Sequence, residues 1–544
     1  MKKELEKSIK KAIVDLYEAD FDLPEITVDY PQNEKFGDYS TNVAMVLGKK
    51  LGKNPMKLAE ALRFNLSTLR LNLRVEVVVP GYINFHLSPK YLQEKVAEIN
   101  KLGEKFGNGK IGAGVKVNNE FISANPTGPL HLGNGRGGFY GDTLGKVLKK
   151  AGFEVVNEYY INDAGEQVMK LGHSVLKDSE AVYAGEYIDE LNKKFRNISD
   201  IKDAGEKSAK IILDEIIKKT ISEKMQIEFD SWISEKNDLE DTGYKDKALD
   251  ILKNKKLTYE KEGATWLKTI DFGDDKDRVI IKTDGQRTYI VSDCGYILNK
   301  IERGFGKIIE IWGADHHGYI SRFKSAAEAL GFKGELKFII VQLVRLVKDG
   351  KEVRMSKRAG NVVYIDELID KVGHDVTRFF FLMYSPDTHM NFDLGLAEER
   401  SEKNPVYYVQ YAHARISSIL RKSGKGLTSL PETLRISKQA GLDRNDPKRS
   451  NLELLTHEKE LSLIKELNKF PELVSEISES YEVHKLPHYA IKLADKFHSF
   501  YAECRVIDEE NPELSGARLN LVNAVRIVLA EALRLIGVAS PNKM

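Results

Sequence analysis

The sequence has little cysteine, no long apolar run and almost no net charge. Its two cysteines, Cys294 and Cys504, are too few and too far apart for a disulfide framework or a cysteine-based zinc site, which fits a reducing compartment. The most apolar segment, Phe379 to Tyr384, is far shorter than the roughly 20 residues of a membrane-spanning helix. The 83 basic and 82 acidic residues exclude a protein that coats nucleic acid by bulk attraction, but they allow a local basic face. These absences predict a soluble, cytoplasmic protein that does not enter membranes.

The 41 glycines and 15 prolines are close to average usage, which excludes the disordered and collagen-like classes. With 544 residues, the chain is too long for one ordinary core. We predict a multidomain α/β protein with a small α/β domain over 1–110, a Rossmann-like parallel-sheet domain over 115–392 and an all-α helical bundle over 393–544. A lysine- and glutamate-rich segment at about 174–262 predicts a helical insertion in the middle domain.

The middle domain opens with a strand, a tight turn, a helix and a second strand. Val115–Ala124 and Phe153–Ile161 have the composition of strands, and His131–Ala151 has apolar residues at helical spacing. This unit is the building block of a parallel sheet. An Asp-Gly pair at 349–350 predicts a hairpin turn. Further strands of the sheet are predicted at Arg278–Lys282, Lys307–Trp312 and Lys337–Val347.

A glycine-rich motif, Pro126–Gly138, lies where the first strand turns into the helix. A helix start offers unpaired N–H groups and a partial positive charge, which suit an anionic phosphate. His131 can donate to such a phosphate, and glycines such as Gly133 let a flat base approach the backbone. The alternative is a glycine-rich turn with an internally hydrogen-bonded histidine.

A second motif, Arg354–Asn361, follows the predicted hairpin. A loop with several donors and a glycine can hold a polyphosphate whose charge changes during a reaction. A solvated basic loop is the alternative. The two motifs follow the opening and closing strands of the split sheet, and ligands of open α/β sheets bind at that edge. We therefore predict that the motifs meet at one nucleotide site.

His131-Leu-Gly-Asn134 and Arg354-Met-Ser-Lys-Arg358 resemble the HIGH and KMSKS elements of class I aminoacyl-tRNA synthetases. Asn134 replaces the last histidine of HIGH, and Arg354 replaces the first lysine of KMSKS. Because His131 and Lys357 remain, we expect the chemistry to be retained, with the activation rate as the property these departures affect. Longer motifs over nearly the whole chain resemble those of arginyl-tRNA synthetases: Phe36–Ala44, Tyr160–Gln167, Trp312–Tyr319, Phe392–Leu394 and Val409–Arg415.

The resemblance implies ATP-dependent activation of L-arginine to arginyl-adenylate, followed by transfer to the terminal ribose of tRNA(Arg). Attack of a carboxylate on the α-phosphate requires positioned donors more than a nucleophile. Mg²⁺ is expected to enter with the nucleotide rather than in an all-protein cage. The resemblance assigns catalysis to His131, Ser356 and Lys357, and ATP binding to Gly133, Asn134, His316, Met355 and Arg358.

Recognition of arginine requires carboxylates, because a guanidinium is a planar fork of donors. The resemblance assigns binding of the arginine side chain to Tyr289 and Asp293. Taken alone, Asp163 fits a surface salt bridge or a helix cap better than a substrate contact. The remaining arginine-binding positions implied by the resemblance are Glu120, Asn125, Asp163 and Gln167.

The C-terminal region combines aromatic and basic residues at helical spacing, which suits the unstacked bases of an anticodon loop. A buried aromatic stripe is the alternative. His316 and His317 lack a third ligand at helical spacing, so we predict no protein-held metal. The chain is expected to be a monomer. The residues assigned to tRNA are Tyr408, Gln410, Tyr411 and Arg415.

Three other interpretations remain open at this stage. Another class I synthetase is the first, although the cysteine enzyme would need zinc-binding thiols that two distant cysteines do not supply. A catalytically silent RNA-binding relative is the second, and the presence of His131, Asp293 and Lys357 disfavours it. A small-molecule adenylyltransferase is the third, and it would give the long helical C-terminal region no role.

Overall fold

The computed structural model describes residues 1–17, 23–67, 73–353, 363–426 and 451–544. The strands are β1 (Tyr39–Thr41), β2 (Leu73–Val78), β3 (Tyr82–Leu87), β4 (Lys116–Glu120), β5 (Glu154–Ile161), β6 (Ser231–Ser234), β7 (Thr258–Lys261), β8 (Ala264–Leu267), β9 (Arg278–Ile281), β10 (Lys307–Gly313), β11 (Glu335–Val341), β12 (Val344–Lys348), β13 (Lys351–Glu352) and β14 (Met390–Asp393). The α-helices are α1 (Lys2–Tyr17), α2 (Val43–Leu51), α3 (Pro55–Ser67), α4 (Pro89–Leu102), α5 (Leu132–Lys150), α6 (Glu166–Leu176), α7 (Glu186–Lys194), α8 (Ile201–Ile211), α9 (Tyr244–Asn254), α10 (Tyr289–Glu302), α11 (Ile320–Leu330), α12 (Ile365–Val372), α13 (His374–Leu382), α14 (Leu394–Glu398), α15 (Pro405–Gly426), α16 (Glu458–Asn468), α17 (Phe470–Ser480), α18 (Lys485–Glu503) and α19 (Pro512–Ile536).

A five-stranded parallel sheet forms the centre of the molecule, with strand order β11-β10-β4-β5-β6. The predicted strand, helix, strand unit is present as β4, α5 and β5, and it places β4 and β5 side by side in parallel. Before the sheet, β1, β3 and β2 form a small antiparallel sheet with α1–α4. After it, α15–α19 form a helical bundle. The predicted α/β fold class with a C-terminal bundle is confirmed.

Three details of the sequence prediction are wrong. The segment Lys337–Val347 is not one strand of the central sheet, because only β11 belongs to that sheet, whereas β12 pairs with β13 and β14 in a separate sheet. The segment 174–262 is not wholly helical, because Ser231–Ser234 forms the edge strand β6 of the central sheet and pairs with β5. Four residues are too few to show a strand period. The strand at Arg278–Ile281 does not join the central sheet but lies in a separate antiparallel sheet, β7-β8-β9. Local composition predicts a strand but not which strand it pairs with.

Close packing against the sheet fixes the direction of α5. A Cβ atom at Gly141 would lie 2.2 Å from the Phe121 ring, so only glycine fits where the helix crosses the end of β4. The Asn119 side-chain amide donates to the Gly141 carbonyl at 2.9 Å and to Asn157 Oδ1 at 2.9 Å. The middle of α5 is thereby held against β4, which fixes the direction of the helix that starts at the carboxyl edge of the sheet.

The hairpin predicted at 349–350 is present. Lys348 pairs with Lys351 across the turn, and both Asp349 and Gly350 have positive φ angles, as an Asp-Gly hairpin turn requires. Strand β12 of this hairpin also pairs in parallel with β14. Within the described ranges, none of the helices combines the length and apolarity that crossing a lipid bilayer would require.

Candidate active site

The carboxyl ends of three neighbouring strands meet at one edge of the central sheet. Glu120, at the end of β4, is in register with Glu158 of β5 and Glu310 of β10. Because the strands are parallel, the loops that follow β4, β5 and β10 open on the same edge, where open α/β sheets bind ligands. This edge is the candidate active site.

His131 caps the start of α5 at this edge. Its Nδ1 accepts the backbone N–H groups of Gly133 at 3.1 Å and Asn134 at 3.4 Å. A backbone N–H can only donate, so Nδ1 is the unprotonated nitrogen and Nε2 carries the proton. Desolvation lowers the pKa of His131, partly opposed by the Asp315 carboxylate, which favours the neutral ring. His131 can therefore donate one hydrogen bond from Nε2 to an anion at the helix start.

Asn134, the position that departs from the HIGH pattern, closes the cap from the other side. Its Oδ1 accepts the backbone N–H of His131 at 3.1 Å, which forms a reciprocal capping box. An amide can form this bond without carrying charge. The departure thus preserves the geometry of the helix start.

The second motif lies outside the described residues, and with it Arg354, Met355, Ser356, Lys357 and Arg358. The described chain that follows this segment is bonded to the first motif. The Val363 carbonyl accepts the N–H of Leu132 at 3.2 Å, and the N–H of Ile365 donates to the carbonyl of Leu130 at 2.9 Å. Tyr364 forms a β-bridge with His131. The chain at Val363–Ile365 is therefore joined to the first motif through the backbone directly beside His131.

His316 lies in a 3₁₀ turn, Ala314–Tyr319, directly after β10. Its side chain is 57% exposed, and its Nε2 lies 3.4 Å from the Asp315 carboxylate. The turn follows β10 at the carboxyl edge of the sheet, the edge at which α5 begins with His131. Among the described residues, no group of three or more histidine, cysteine or acidic side chains could hold a metal ion.

Asp293 lies in the first turns of α10, facing other acidic groups. Its carboxylate makes no hydrogen bond or ion pair with the described residues. Burial and the negative charge of Glu235 raise the pKa of Asp293 to about 7, an effect that Arg322 partly opposes. A carboxylate in this state is stabilised by an incoming cation.

Glu235 is a member of this group that sequence reasoning missed. It follows β6 directly, and its Oε1 accepts the Ser292 hydroxyl at 2.7 Å and Lys245 Nζ at 2.9 Å. The only available signal was its place after a strand, and that strand was hidden inside the predicted insertion.

The other predicted arginine-binding residues lie around the same edge but differ in their contacts. Tyr289 is 54% exposed, and its hydroxyl lies 3.3 Å from Glu166 Oε2. Asn125 is exposed in the turn after β4. Glu120 is buried, where it pairs with Lys300 at 2.6 Å.

Asp163 and Gln167 are engaged in internal contacts. Asp163 accepts the Ser234 hydroxyl at 2.6 Å and the backbone N–H of Lys236 at 3.1 Å, so it fixes the segment that carries Glu235. Gln167 accepts the Tyr183 hydroxyl at 2.6 Å. Their geometry supports positioning of the site rather than direct contact with a substrate.

On the C-terminal bundle, α15 presents part of the predicted aromatic and basic surface. Tyr411 is 49% exposed, and the Arg415 guanidinium lies 5.8 Å from its ring centre. The Tyr408 hydroxyl donates to Asp495 at 2.6 Å. Gln410 does not share this surface. It is buried, and its amide donates to Asp375 and to the carbonyl of Ala539.

Comparison with known proteins gives a consistent result. Three family models match the chain: "Arginyl tRNA synthetase N terminal domain" over residues 3–87, "tRNA synthetases class I (R), catalytic domain" over 96–379 and "DALR anticodon binding domain" over 409–544. An arginine–tRNA ligase of Anoxybacillus flavithermus is 43% identical over 576 residues, covering 100% of this chain and 99% of the relative. One from Bacillus velezensis is 42% identical over 569 residues, with the same coverage.

The fold is also similar to a solved structure. The Thermus thermophilus arginyl-tRNA synthetase superposes with a TM-score of 0.74 at 21% identity, and all of both chains is covered. The relatives cover the entire length of the sequence, and the three family models match its N-terminal, middle and C-terminal parts. The chain therefore belongs to the arginine–tRNA ligase family of class I aminoacyl-tRNA synthetases.

Proposed function

We propose that this chain attaches L-arginine to tRNA(Arg) in two steps, through an arginyl-adenylate, and releases pyrophosphate and AMP. ATP-dependent ligation of arginine to tRNA follows from membership of the family. The observation that carries the pocket assignment is Asp293, a partly buried carboxylate without a partner among the described residues, next to Glu235. A guanidinium supplies the missing charge and donors.

In the first step, the arginine carboxylate attacks the α-phosphate and pyrophosphate leaves. His131 donates from Nε2 to the phosphates at the positive end of the α5 dipole. We assign Ser356 and Lys357 to the departing pyrophosphate. We assign binding of the ATP nucleotide to Gly133, Asn134, His316, Met355 and Arg358.

Mg²⁺ is expected to accompany ATP. The described residues contain no cluster of three or more histidine, cysteine or acidic side chains, so phosphate oxygens and water would supply most of its ligands. The ion would neutralise phosphate charge, while the protein positions the reactants through His131 and the acidic pocket.

Arginine is proposed to bind with its guanidinium against Asp293, and Tyr289 lines the mouth of the pocket. Glu120 and Asn125 follow from β4 and its turn and would serve the backbone groups of the substrate. Asp163 and Gln167 are assigned a supporting role, because both have internal partners. Glu235 completes the negative potential of the site.

For tRNA, we propose that Tyr408, Tyr411 and Arg415 contact the anticodon loop, with Gln410 holding α15 in place. The domain division follows the same scheme: 1–110 for tRNA contact, 115–392 for catalysis and 393–544 for the anticodon. We further propose a cytoplasmic monomer, for which gel filtration with light scattering gives a direct test.

The decisive experiment measures charging of tRNA by the purified protein with ATP and arginine, glutamine, glutamate or cysteine. Arginine alone should be attached. Asp293→Asn should lower kcat/KM for arginine by about 100-fold or more, because the charged partner of the guanidinium is lost. The matched control is Glu328→Gln, which neutralises an exposed acid on α11 and should stay within about twofold. Attachment of glutamine or cysteine without arginine, or an Asp293→Asn variant with normal kinetics, would contradict the proposal.

A further inference from the structure

Three glutamates lie side by side across the centre of the sheet. Glu310 of β10, Glu120 of β4 and Glu158 of β5 are in register on adjacent parallel strands, so their side chains share one face. All three are at most 5% exposed. Like charges on adjacent strands repel each other, and burial strengthens that repulsion. Such a row requires a cation.

Lys300 of α10 supplies that cation. Its ammonium group is fully buried and lies 2.6 Å from Glu120 Oε2 and 2.6 Å from Glu310 Oε1. It also lies 4.1 Å from the centre of the Tyr296 ring, whose hydroxyl donates to Glu120 at 2.6 Å or to Glu158 at 2.8 Å. At the other end of the row, Arg303 lies 2.5 Å from Glu158 Oε2.

The protons in this row are distributed unevenly. Burial, with the charge of Glu120 adding to it, raises the pKa of Glu310 well above its ordinary value. Burial opposes ionisation of Glu158 as well, but the charges of Lys300 and Arg303 prevail and lower its pKa. Glu310 thus takes up a proton more readily than Glu158.

Glu120 is the member of the row that reaches the substrate edge. It ends β4, and its Oε1 accepts one hydrogen bond, from the Ser123 hydroxyl at 2.9 Å. A carboxylate oxygen has two lone pairs, so Oε1 can accept one more donor. That remaining site can receive an N–H of the cationic substrate.

We propose that Lys300 is a positioning residue for arginine binding: through its contacts with Glu120 Oε2 and Glu310 Oε1, it holds the Glu120 carboxylate so that Oε1 remains available to the substrate. This inference rests on the proposed role of Glu120 in the arginine pocket. Lys300 lies behind the sheet's acidic row and does not itself contact arginine. The titratable groups that face Glu120 are Glu310, Glu158 and Tyr160 from the sheet and Asp293, Tyr296 and Lys300 from α10.

The test replaces Lys300 with Met and measures KM for arginine and for ATP in tRNA charging over a range of pH. Without the ammonium, the acidic row loses a cation and should bind protons more readily, and arginine binding must then displace a proton. We expect KM for arginine to rise by about tenfold or more near neutral pH and to recover as the pH increases. KM for ATP should change by less than about twofold.

The matched control is Glu310→Gln, which removes a carboxyl group that already takes up a proton readily and should leave KM for arginine within about twofold. In the double variant Lys300→Met/Glu310→Gln, only the readily protonated carboxyl group is also lost, so KM for arginine should stay raised with the same pH dependence as in Lys300→Met. A packing defect caused by Met would raise KM equally at every pH. If Lys300→Met does not fold, Lys300→Gln keeps hydrogen bonding without charge and should show the same pH dependence.

An unchanged KM for arginine with a flat pH profile in the Lys300 variant would overturn this inference, as would a loss of kcat alone. Its failure is distinguishable from failure of the proposed function. Charging of arginine and its loss in Asp293→Asn test the activity, whereas Glu120→Gln tests whether Glu120 contributes to arginine binding. A normal KM for arginine in Glu120→Gln would remove the premise and overturn the inference with it.

Discussion

At the scale of single residues, one imidazole serves the fold and the proposed chemistry with different nitrogens. Nδ1 of His131 accepts two backbone N–H groups at the start of α5, and this leaves Nε2 as the donor for a phosphate. The cap orients the ring, and the ring places the donor. A substitution that keeps the helix cap but removes the Nε2 donor should therefore affect catalysis without affecting stability.

His131→Asn should retain most of the cap, because asparagine is a good helix cap, but it removes the Nε2 donor. We expect kcat for adenylate formation to fall by about 100-fold or more with little change in the thermal unfolding midpoint. His131→Ala should lose the cap as well and cost about 1 kcal/mol of stability. Steady-state charging kinetics and thermal unfolding of both variants check this. Equal destabilisation of the two variants would contradict it.

The proposed role of Asp293 predicts that arginine binding depends on pH. With a pKa of about 7, its carboxyl group is half protonated in the free protein near neutral pH. The guanidinium binds the ionised form, so below the pKa binding must release a proton, while above it no proton is displaced. The dissociation constant for arginine should therefore increase about tenfold from about pH 8 to about pH 6. Titration calorimetry in buffers of different ionisation enthalpy measures the released proton, and Asp293→Asn should abolish it.

At the scale of elements, α5 depends on small residues for its place on the sheet. The helix is rich in glycine, which weakens an isolated helix. Gly141 is required for contact with Phe121, whereas a Cβ at Gly137 would meet no atom within 4 Å. Glycine is thus required by packing at position 141 but not at position 137, one turn earlier in the helix.

Gly141→Ala should destabilise the protein by about 1–3 kcal/mol, since its Cβ would overlap a fully buried ring. Gly137→Ala is the matched control on the same helix and should stabilise it by about 0.5–1 kcal/mol. Thermal unfolding midpoints measure both changes. A lower midpoint in Gly137→Ala, or an unchanged one in Gly141→Ala, would contradict the packing argument.

At the scale of the whole molecule, α5 connects the active site to the C-terminal bundle. The helix has 19 residues and is about 28 Å long. It begins at His131, and near its end Lys150 pairs with Glu531 of α19 at 2.6 Å. In between, the buried Arg378 donates to Asp142 of α5 and to the Ile536 carbonyl at the end of α19. Bundle and sheet are thus joined by buried charges as well as apolar packing.

Glu531→Gln should destabilise this junction strongly. The side chains of Lys150 and Glu531 are 2% and 3% exposed, so the substitution leaves a buried ammonium without its anion, at a cost of about 3 kcal/mol or more. Lys3→Gln breaks a pair with Glu479 whose side chains are 60% and 53% exposed, and it should cost no more than about 1 kcal/mol. Calorimetric scans compare the two variants. Equal midpoints would contradict a structural role for the buried pair.

The sequence by itself determined the features that depend on local pattern. A strand period followed by a helix period placed His131 at a helix start, and Asp-Gly at 349–350 required a hairpin turn. Residue chemistry then indicated an anionic ligand for the first motif. Those features are readable because they involve neighbours in the chain.

Only the tertiary structure decided which distant groups meet. Glu235 joins Asp293 because the short strand β6 pairs with β5, and Gln410 is buried because the C-terminal segment crosses α15. The alignment of Glu120 with Glu158 and Glu310 is a register between strands far apart in sequence, and Lys300 reaches that row only through the packing of α10. Strand pairing and burial arise from contacts between remote segments, so no local pattern encodes them.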